Sequence, residues 1–278
     1  MIGGMDELSV LAEAFHRDGF VIVPGFFSAE EVESIKTTFM EQNAAGPVEG
    51  LSEIRRGGKD GYSEDDPLAF YPRMMHPHKH PDKPVGPLSM RYMLDSRVQA
   101  FLHLLMGEEP VAAQSMFYFK PAGARGQDLH QDNYYLRVAP DTCYAAWTAI
   151  DDVDQENGGM VAVPGSHTLP VLCPTSADKT LFFTDQHVEI PEGMAAIPID
   201  MKAGDTFFFN GSVIHGSYPN SSKDRFRRAF ICHYVPKTSA EVSHYYGCVD
   251  FDGTPVGFPE ATMGGPCGGT WMEVKGPH

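Results

Sequence analysis

The sequence has 278 residues, which is large for one domain but within the range of all-β barrels and sandwiches that carry insertions. Its formal net charge of -16 at pH 7 would repel nucleic-acid phosphates and anionic membrane surfaces, so we expect neither as a partner. No apolar run approaches the roughly 18 residues of a membrane span, and no basic leader is visible.

The five cysteines are widely spaced, odd in number, and form no CxxC pair. This pattern is typical of reduced thiols in a cytoplasmic protein rather than of a disulfide framework or a structural zinc site. We therefore expect a cytoplasmic protein, either a monomer or a homodimer, with a small-molecule partner.

The first part of the chain, residues 1–108, has a mainly helical pattern. Ser28 with Glu31 three residues later forms a capping box, which predicts the start of a helix. The predicted elements are a helix with an apolar face at Leu8, Leu11 and Phe15, a strand at 20–23, and helices at about 29–42 and 96–106. Residues 43–87 are rich in Gly, Pro, His and charge, and predict a long irregular excursion of the kind that often forms a lid or binding loop.

From residue 110 the pattern changes to short strands punctuated by Gly, Pro and Asp turns. The candidate strands are 111–120, 134–138, 144–150, 160–163, 194–198, 206–210 and 230–235. No helices of crossover length separate them, so the sheets should be mainly antiparallel. We predict a mainly β fold, a double-stranded β-helix or jelly roll over 110–236, followed by a glycine-rich tail at 239–278 within one domain.

The strongest local signal is the pair His130 and Asp132 in the segment DLHQDNYY. In a strand, side chains two residues apart point the same way, so both could reach one ion while Gln131 faces away. His215 follows the apolar run TFFFN by a few residues and lies 85 residues after His130. Two imidazoles and one carboxylate form the facial triad of iron(II) oxygenases, which leaves positions open for substrate chelation and oxygen.

A cluster of arginines follows His215, in the segment HGSYPNSSKDRFRRA. A dicarboxylate cosubstrate requires a fixed cation at its far end, and the planar fork of arginine suits this task. Arg227 and Arg228 open a candidate strand, so one should point inward and the other outward. We interpret Arg225 and Arg228 as surface residues.

The sequence resembles the phytanoyl-CoA dioxygenase family, which includes ectoine hydroxylase. The blocks that carry the resemblance are FHRDGFVIVPGFF, LHQD, WTAIDDVDQENGGMVAVPGSH, HGSYPN and FRRAFICHY. The resemblance implies a jelly-roll core, iron(II), and 2-oxoglutarate with O2 as cosubstrates. It also implies that His130, Asp132 and His215 are the iron ligands.

The resemblance further implies which residues bind 2-oxoglutarate. Arg227 corresponds to the residue that pairs with the 5-carboxylate, and Ser217 to its hydroxyl partner. Lys120 and Trp147 correspond to other residues of the cosubstrate pocket. Gln114 and Met116 share the parity of Lys120 on one predicted strand, so all three should face the barrel.

One interval departs from the family pattern. The spacing from His215 to Arg227 is 12 residues where the family usually shows eleven, so Arg228 stays open as the alternative anchor.

Asp132 matches the aspartate that the family has at the second iron-ligand position. Related halogenases replace it with a small residue so that chloride can bind iron, and Asp132 therefore implies hydroxylation rather than halogenation.

The predicted function is hydroxylation of an unactivated C–H bond in a small-molecule metabolite or natural-product intermediate. Candidate substrate contacts follow the HxD pair or lie in the excursion: Asn133, Tyr134, Tyr135, Arg73 and His76. For the histidine cluster of that loop, at 76, 78 and 80, the first interpretation is a solvated loop, and contact with the substrate is the alternative. Two alternatives remain, namely a non-catalytic jelly-roll binding protein and a cupin-type metal enzyme that does not use 2-oxoglutarate.

Overall fold

The computed structural model of the chain describes residues 5–53, 63 and 65–261. Its helices are α1 (Met5–Asp18), α2 (Ala29–Ala44), α3 (Pro67–Phe70), α4 (Val85–Met93), α5 (Ser96–Met106) and α6 (Asn133–Leu136), with 3-10 turns at Pro77–Lys79 and Ser166–Thr168. Its strands are β1 (Phe20–Val23), β2 (Met74–Met75), β3 (Pro110–Tyr118), β4 (Gln127–His130), β5 (Tyr144–Ala149), β6 (Met160–Ala162), β7 (Thr175–Ser176), β8 (Gln186–His187), β9 (Ile197–Ile199), β10 (Thr206–Asn210), β11 (His215–Ser217), β12 (Ala229–Pro236), β13 (Cys248–Val249) and β14 (Pro255–Val256).

Two antiparallel sheets form the core. The larger sheet has the order β1-β10-β5-β12-β3-β13-β14, with β2 also paired to β3, and the smaller sheet has the order β4-β11-β6-β9. Buried side chains of both sheets meet in one apolar cluster, which includes Trp147 and Phe207 from the larger sheet and Met160 from the smaller. The predicted jelly-roll architecture is therefore confirmed.

Helices α1, α2, α4 and α5 cover the outer face of the larger sheet. Side chains alternate along β10, so that Phe207 and Phe209 belong to the inner cluster while Phe208 packs outward with the helices. Phe39 of α2 stacks on Phe117 of β3, with ring centroids 4.1 Å apart and planes at 4°. The capping box is present at the start of α2, because Ser28 accepts from the Glu31 N–H and the Glu31 carboxylate accepts from the Ser28 N–H. Within the described ranges, no helix has the length and apolar character needed to cross a bilayer.

The excursion at 43–87 is more ordered than predicted. It contains α3, β2, a 3-10 turn and the start of α4, although residues 54–62 and 64 lie outside the described ranges. His76 and His78 are 9% and 5% exposed, so the interpretation of this histidine cluster as a solvated loop is wrong for these two. The His78 ring Nδ1 lies 2.7 Å from the Ser115 hydroxyl of β3, and this contact seats the turn on the sheet.

The strand predicted at 134–138 is wrong. Asn133–Leu136 form the single helical turn α6, which ends at Arg137 in the left-handed region (φ 53°). The Asn133 side chain bonds both the N–H and the C=O of Val138, at 2.9 and 3.1 Å. These side-chain bonds occupy the backbone N–H and C=O of Val138, which therefore cannot pair with a neighbouring strand. The strand predicted at 194–198 is present only as β9, since a turn from Pro191 to Met194 occupies its start.

The cysteines differ in whether their thiols are free or disulfide-bonded. Cys143, Cys232 and Cys248 are free and buried. Cys173 is disulfide-bonded, so the expectation of reduced thiols is wrong at that position.

The buried histidines predict a specific loss of stability in acid. Burial lowers the pKa of His76 to about 4 and that of His78 to about 3, from 6.5. The unfolded chain therefore binds protons at a higher pH than the folded one. The stability that these neutral rings contribute is complete above pH 6.5 and is lost as the pH falls toward 4, by at most about 1.4 kcal/mol per pH unit for each ring.

We expect His78→Gln to flatten the acid side of the stability profile. Urea unfolding at several pH values between about 7 and about 5 should show a smaller decline of the free energy of unfolding in the variant than in the parent protein. Carboxylates also titrate here, so the difference between the two profiles is the informative quantity. Parallel profiles would show that His78 is not the titrating group.

Candidate active site

Three predicted metal ligands meet in the smaller sheet. Strands β4 and β11 pair antiparallel with His130 directly opposite His215, and Asp132 follows two residues later at the N-terminus of α6. The Asp132 Oδ1 atom lies 3.4 Å from His130 Nε2 and 3.5 Å from His215 Nε2. One ligand atom from each residue lies within 4.8 Å of the others, and all three residues are buried. This donor set, two nitrogens and one oxygen, fits an iron(II) facial triad.

Backbone contacts fix the orientation of both imidazoles. The Nδ1 of His130 lies 2.7 Å from the Asp128 carbonyl, and the Nδ1 of His215 lies 3.0 Å from the Val213 carbonyl. Because a carbonyl only accepts, each Nδ1 carries the proton and each Nε2 presents its lone pair toward Asp132. Burial lowers the pKa of His215 to about 4, which keeps that ring neutral and able to bind a metal.

A further buried histidine contacts the triad and was not predicted from the sequence. His233 of β12 places Nε2 2.9 Å from Asp132 Oδ2, and both side chains are 1% exposed. The signal that could have found it is the strand parity used for Arg227, because residues 227, 231 and 233 all lie on the inward-facing side. Ile231 and His233 do line the same cavity as the triad.

Two cations are buried side by side at the other end of the site. Arg227 Nε and Lys120 Nζ both donate to the Gly158 carbonyl, at 3.1 and 3.0 Å, and Lys120 Nζ also donates to the Ser217 hydroxyl at 2.8 Å. Neither cation forms an ion pair with a described residue, and Arg227 Nη1 is buried there without a hydrogen-bond partner. The Arg227 guanidinium lies 5.1 Å from the centre of the Trp147 ring.

The electrostatics of this pair are unfavourable without an anion. Burial lowers the pKa of Arg227 to about 10. Burial, together with the charge of Arg227, lowers the pKa of Lys120 well below its usual range. A carboxylate placed at Arg227 Nη1 would satisfy the unpaired donor and offset the repulsion between the cations.

Arg228 has a different environment from Arg227. It points to the outside of the barrel, where its guanidinium binds Asp151 at 2.6 and 2.8 Å. The alternation expected at the start of β12 is therefore what the structure shows. Of the two arginines, Arg227 is the one that lies in the site.

One cavity joins the triad to Arg227. Its walls include four further residues that the sequence predicted at the cosubstrate site or on the same strand face: Met116, Trp147, Ser217 and Arg227. The other predicted residues lie outside this lining. Gln114 is buried deeper on β3, Asn133 bonds the Val138 backbone, and Tyr134 packs on Tyr135. The Tyr135 hydroxyl donates to Gln186, and its ring centroid lies 6.3 Å from that of His130.

A second cavity adjoins the first and shares Tyr118 and Arg227 with it. Lys120 and Arg227 line it, together with Arg73 and Tyr118. Tyr118 lines both cavities, and its hydroxyl accepts from Arg73 Nη1 at 2.6 Å. The other side of the Arg73 guanidinium is bound by the Glu53 carboxylate at 2.6 and 2.8 Å. Tyr118 shares its strand parity with Met116, so the sequence could have indicated it, whereas its contact with Arg73 depends on the fold of the excursion.

Comparison with known proteins shows a family match over most of the chain. The family described as "Phytanoyl-CoA dioxygenase (PhyH)" matches residues 15–229. Phytanoyl-CoA dioxygenase 1 of Oryza sativa subsp. japonica is 26% identical over 255 residues, which cover 82% of this chain and 89% of the relative. The peroxisomal phytanoyl-CoA dioxygenase of Homo sapiens is 31% identical over 175 residues, which cover 59% of this chain and 48% of the relative.

Solved structures share the fold at low sequence identity. The epimerase SnoN, in complex with Fe3+, alpha ketoglutarate and nogalamycin RO, has a TM-score of 0.66 at 24% identity, covering 85% of this chain and 86% of that chain. The alpha ketoglutarate-dependent carbocyclase SnoK from nogalamycin biosynthesis has a TM-score of 0.63 at 20% identity, covering 89% and 92%.

The geometry at Gly158 generates a stability prediction with a matched control. Gly158 has φ +84°, and a Cβ there would lie 2.8 Å from Lys120 Cε and 2.9 Å from the Tyr218 carbonyl oxygen. Gly193 also has φ +84°, but a Cβ there would meet nothing within 4 Å. Alanine therefore incurs the same backbone strain at both positions, and only Gly158→Ala also forces Lys120 and the Tyr218 backbone to move.

We expect Gly158→Ala to lower the free energy of unfolding by about 1–3 kcal/mol more than Gly193→Ala does. Urea unfolding of both variants measures this difference. Equal losses would show that the Gly158 contact tolerates a side chain.

Proposed function

Because the chain belongs to the phytanoyl-CoA dioxygenase family and is a 2-oxoglutarate-dependent oxygenase, we propose that it hydroxylates an unactivated C–H bond of a small molecule. The substrate is a metabolite or a natural-product intermediate. The reaction converts 2-oxoglutarate and O2 into succinate and CO2. His130, Asp132 and His215 would hold the iron, and Arg227 would hold the far carboxylate of 2-oxoglutarate.

The observation that carries the proposal is the uncompensated charge at Arg227. A guanidinium that is 2% exposed, with Nη1 unpaired and a buried lysine beside it, is costly unless an anion binds. The same cavity contains the metal triad, so a ligand that reaches both ends needs a chelating head and a distal carboxylate. 2-Oxoglutarate has both groups, which supports Arg227 as its anchor over Arg228.

The residues present also fit the metal. Two imidazoles and one carboxylate on one face suit iron(II) and leave the remaining positions open. Oxygen activation is supplied by iron and 2-oxoglutarate when both are bound. The carboxylate of Asp132 occupies the position that a halide would need, which supports hydroxylation over halogenation.

The protein itself binds and orients the cosubstrate and the substrate, and it keeps water out of the cavity. Apolar side chains of Met116, Met160, Phe209 and Ile231 line the cavity between the triad and Arg227. An apolar lining that excludes water lowers the local dielectric constant, and this strengthens the attraction between Arg227 and a carboxylate.

Tyr118 is the polar group best placed to meet a substrate. The Tyr118 hydroxyl oxygen accepts a hydrogen bond from Arg73, so the hydroxyl proton points in another direction. Within the described part of the chain, the acceptor for that proton is the Met116 sulfur at 3.9 Å. Thioether sulfur is a weak acceptor. Since Arg73 is already neutralised by Glu53, this arrangement favours a neutral substrate oxygen over a carboxylate. It supports an oxygenated small molecule as the substrate class.

We expect Arg227→Leu to weaken 2-oxoglutarate binding while iron(II) stays bound. A charge-assisted contact of this kind contributes about 2–3 kcal/mol, so the dissociation constant should rise at least tenfold. Anaerobic titration of the iron-loaded protein, followed by the visible charge-transfer absorbance, measures it. Arg228→Leu is the matched control and should titrate like the parent protein, because Arg228 binds Asp151 outside the cavity. Unchanged affinity in Arg227→Leu would remove Arg227 from the cosubstrate site.

Turnover tests the reaction itself. The iron-loaded protein should convert 2-oxoglutarate to succinate in air, and a substrate from a panel of oxygenated natural-product intermediates should speed this and gain one oxygen atom, as seen by mass spectrometry. A protein that binds iron but never 2-oxoglutarate would be a metal enzyme of another type. One that binds neither would be a binding protein.

A further inference from the structure

The orientation of Asp132 is set by His233. The carboxylate has two oxygens with separate environments: Oδ1 lies between the Nε2 atoms of His130 and His215, while Oδ2 lies 2.9 Å from His233 Nε2. Because an ionised carboxylate only accepts, His233 Nε2 carries the proton in this contact. His233 thus holds the opposite tautomer from the two ligand histidines, whose Nδ1 atoms are the protonated ones.

We propose that His233 is a positioning residue for the iron site, which holds Oδ2 and so reserves Oδ1 for the metal. A carboxylate bound through both oxygens would occupy one of the open positions of the facial triad. Holding one oxygen in a hydrogen bond prevents this and keeps that position for the cosubstrate or oxygen. The inference rests on the proposed iron site and not on which substrate is oxidised.

The backbone around His233 supports this role. β12 lies inside the larger sheet between β3 and β5, where His233 is opposite Gln114 and Ala145. The register of β12 against β3 shifts between His233 and Tyr234, which leaves Ala113 without a partner. Bulges of this kind re-aim side chains and are frequent beside active sites. Here the irregularity falls at the residue that contacts Asp132.

The contact also links the two sheets. Asp132 follows β4 of the smaller sheet, whereas His233 belongs to the larger one, and 101 residues separate them in the chain. Both side chains are 1% exposed, so water does not compete for the bond. A hydrogen bond in this setting fixes the position of Asp132 relative to β12, the strand that Arg227 precedes.

The test compares donors and non-donors at position 233. His233→Leu has similar bulk but no donor, whereas the amide of His233→Gln can place an N–H near the position of imidazole Nε2. His78→Leu is the control, because His78 is also a buried histidine with one side-chain hydrogen bond, but to Ser115. Folding of each variant is checked by circular dichroism and thermal melting.

We expect His233→Leu to bind iron(II) at least about tenfold more weakly in equilibrium competition with a chelator, and to shift or lose the visible band of the iron–2-oxoglutarate complex. His233→Gln should retain most of the affinity and the band, and His78→Leu should match the parent protein. If the leucine variant does not fold, His233→Asn takes its place, because its shorter amide cannot reach Oδ2.

Three outcomes would overturn the inference: parental affinity and band in the leucine variant, equal losses in the leucine and glutamine variants, or an equal loss in His78→Leu. These outcomes are distinct from failure of the proposed function. If the parent protein binds no iron(II), the proposed function fails. If it binds iron and His233→Leu binds it equally well, only the role of His233 fails.

Discussion

The burial of two like-charged side chains around one carbonyl is the constraint on which the rest of the site depends. Arg227 and Lys120 share the Gly158 oxygen and have no acidic partner among the described residues. The surrounding barrel holds this arrangement in place, and a bound anion would offset the repulsion between the two cations. Gly158 has a positive φ, and a Cβ there would collide with the Lys120 side chain that reaches its carbonyl. Burying these two cations together lowers the stability of the folded protein. A carboxylate ligand that pairs with them would recover this free energy on binding.

The two sheets supply different parts of the site. Arg227 lies two residues before the start of β12, and Ile231 and His233 follow on the same face. One stretch of chain therefore presents a cation, an apolar side chain and a hydrogen-bond donor to one cavity. The smaller sheet supplies the metal ligands through the direct pairing of His130 with His215. The bond from His233 to Asp132 joins these two sets. The proposed iron site and the proposed cosubstrate anchor therefore line one connected cavity rather than separate subsites.

The sequence predicted this unit well because its residues occur in regular strands. Parity placed Met116 in the cavity lining and separated Arg227 from Arg228, and the HxD spacing indicated two of the three residues that meet as a possible metal site. What it missed depends on contacts between distant segments or on local side-chain closure. Nothing in the local pattern shows that Asn133 bonds the Val138 backbone, so the β-forming residues after it suggested a strand where a helical turn forms. His233 was missed although parity selects it, because its role appears only when the two sheets are packed together.

The excursion shows where the specificity of such an enzyme can reside. The triad and Arg227 belong to the sheets and their immediate connections, so a change in those segments would displace the groups proposed for the chemistry. Tyr118 also belongs to a strand, but its hydroxyl is oriented by Arg73 and Glu53, which the excursion supplies. The direction of the Tyr118 proton, and with it the acceptor that a substrate must present, is thus set by a segment that can change without disturbing the metal site. A barrel that fixes the chemistry and an excursion that fixes one polar contact are sufficient to explain how one fold can oxidise different small molecules.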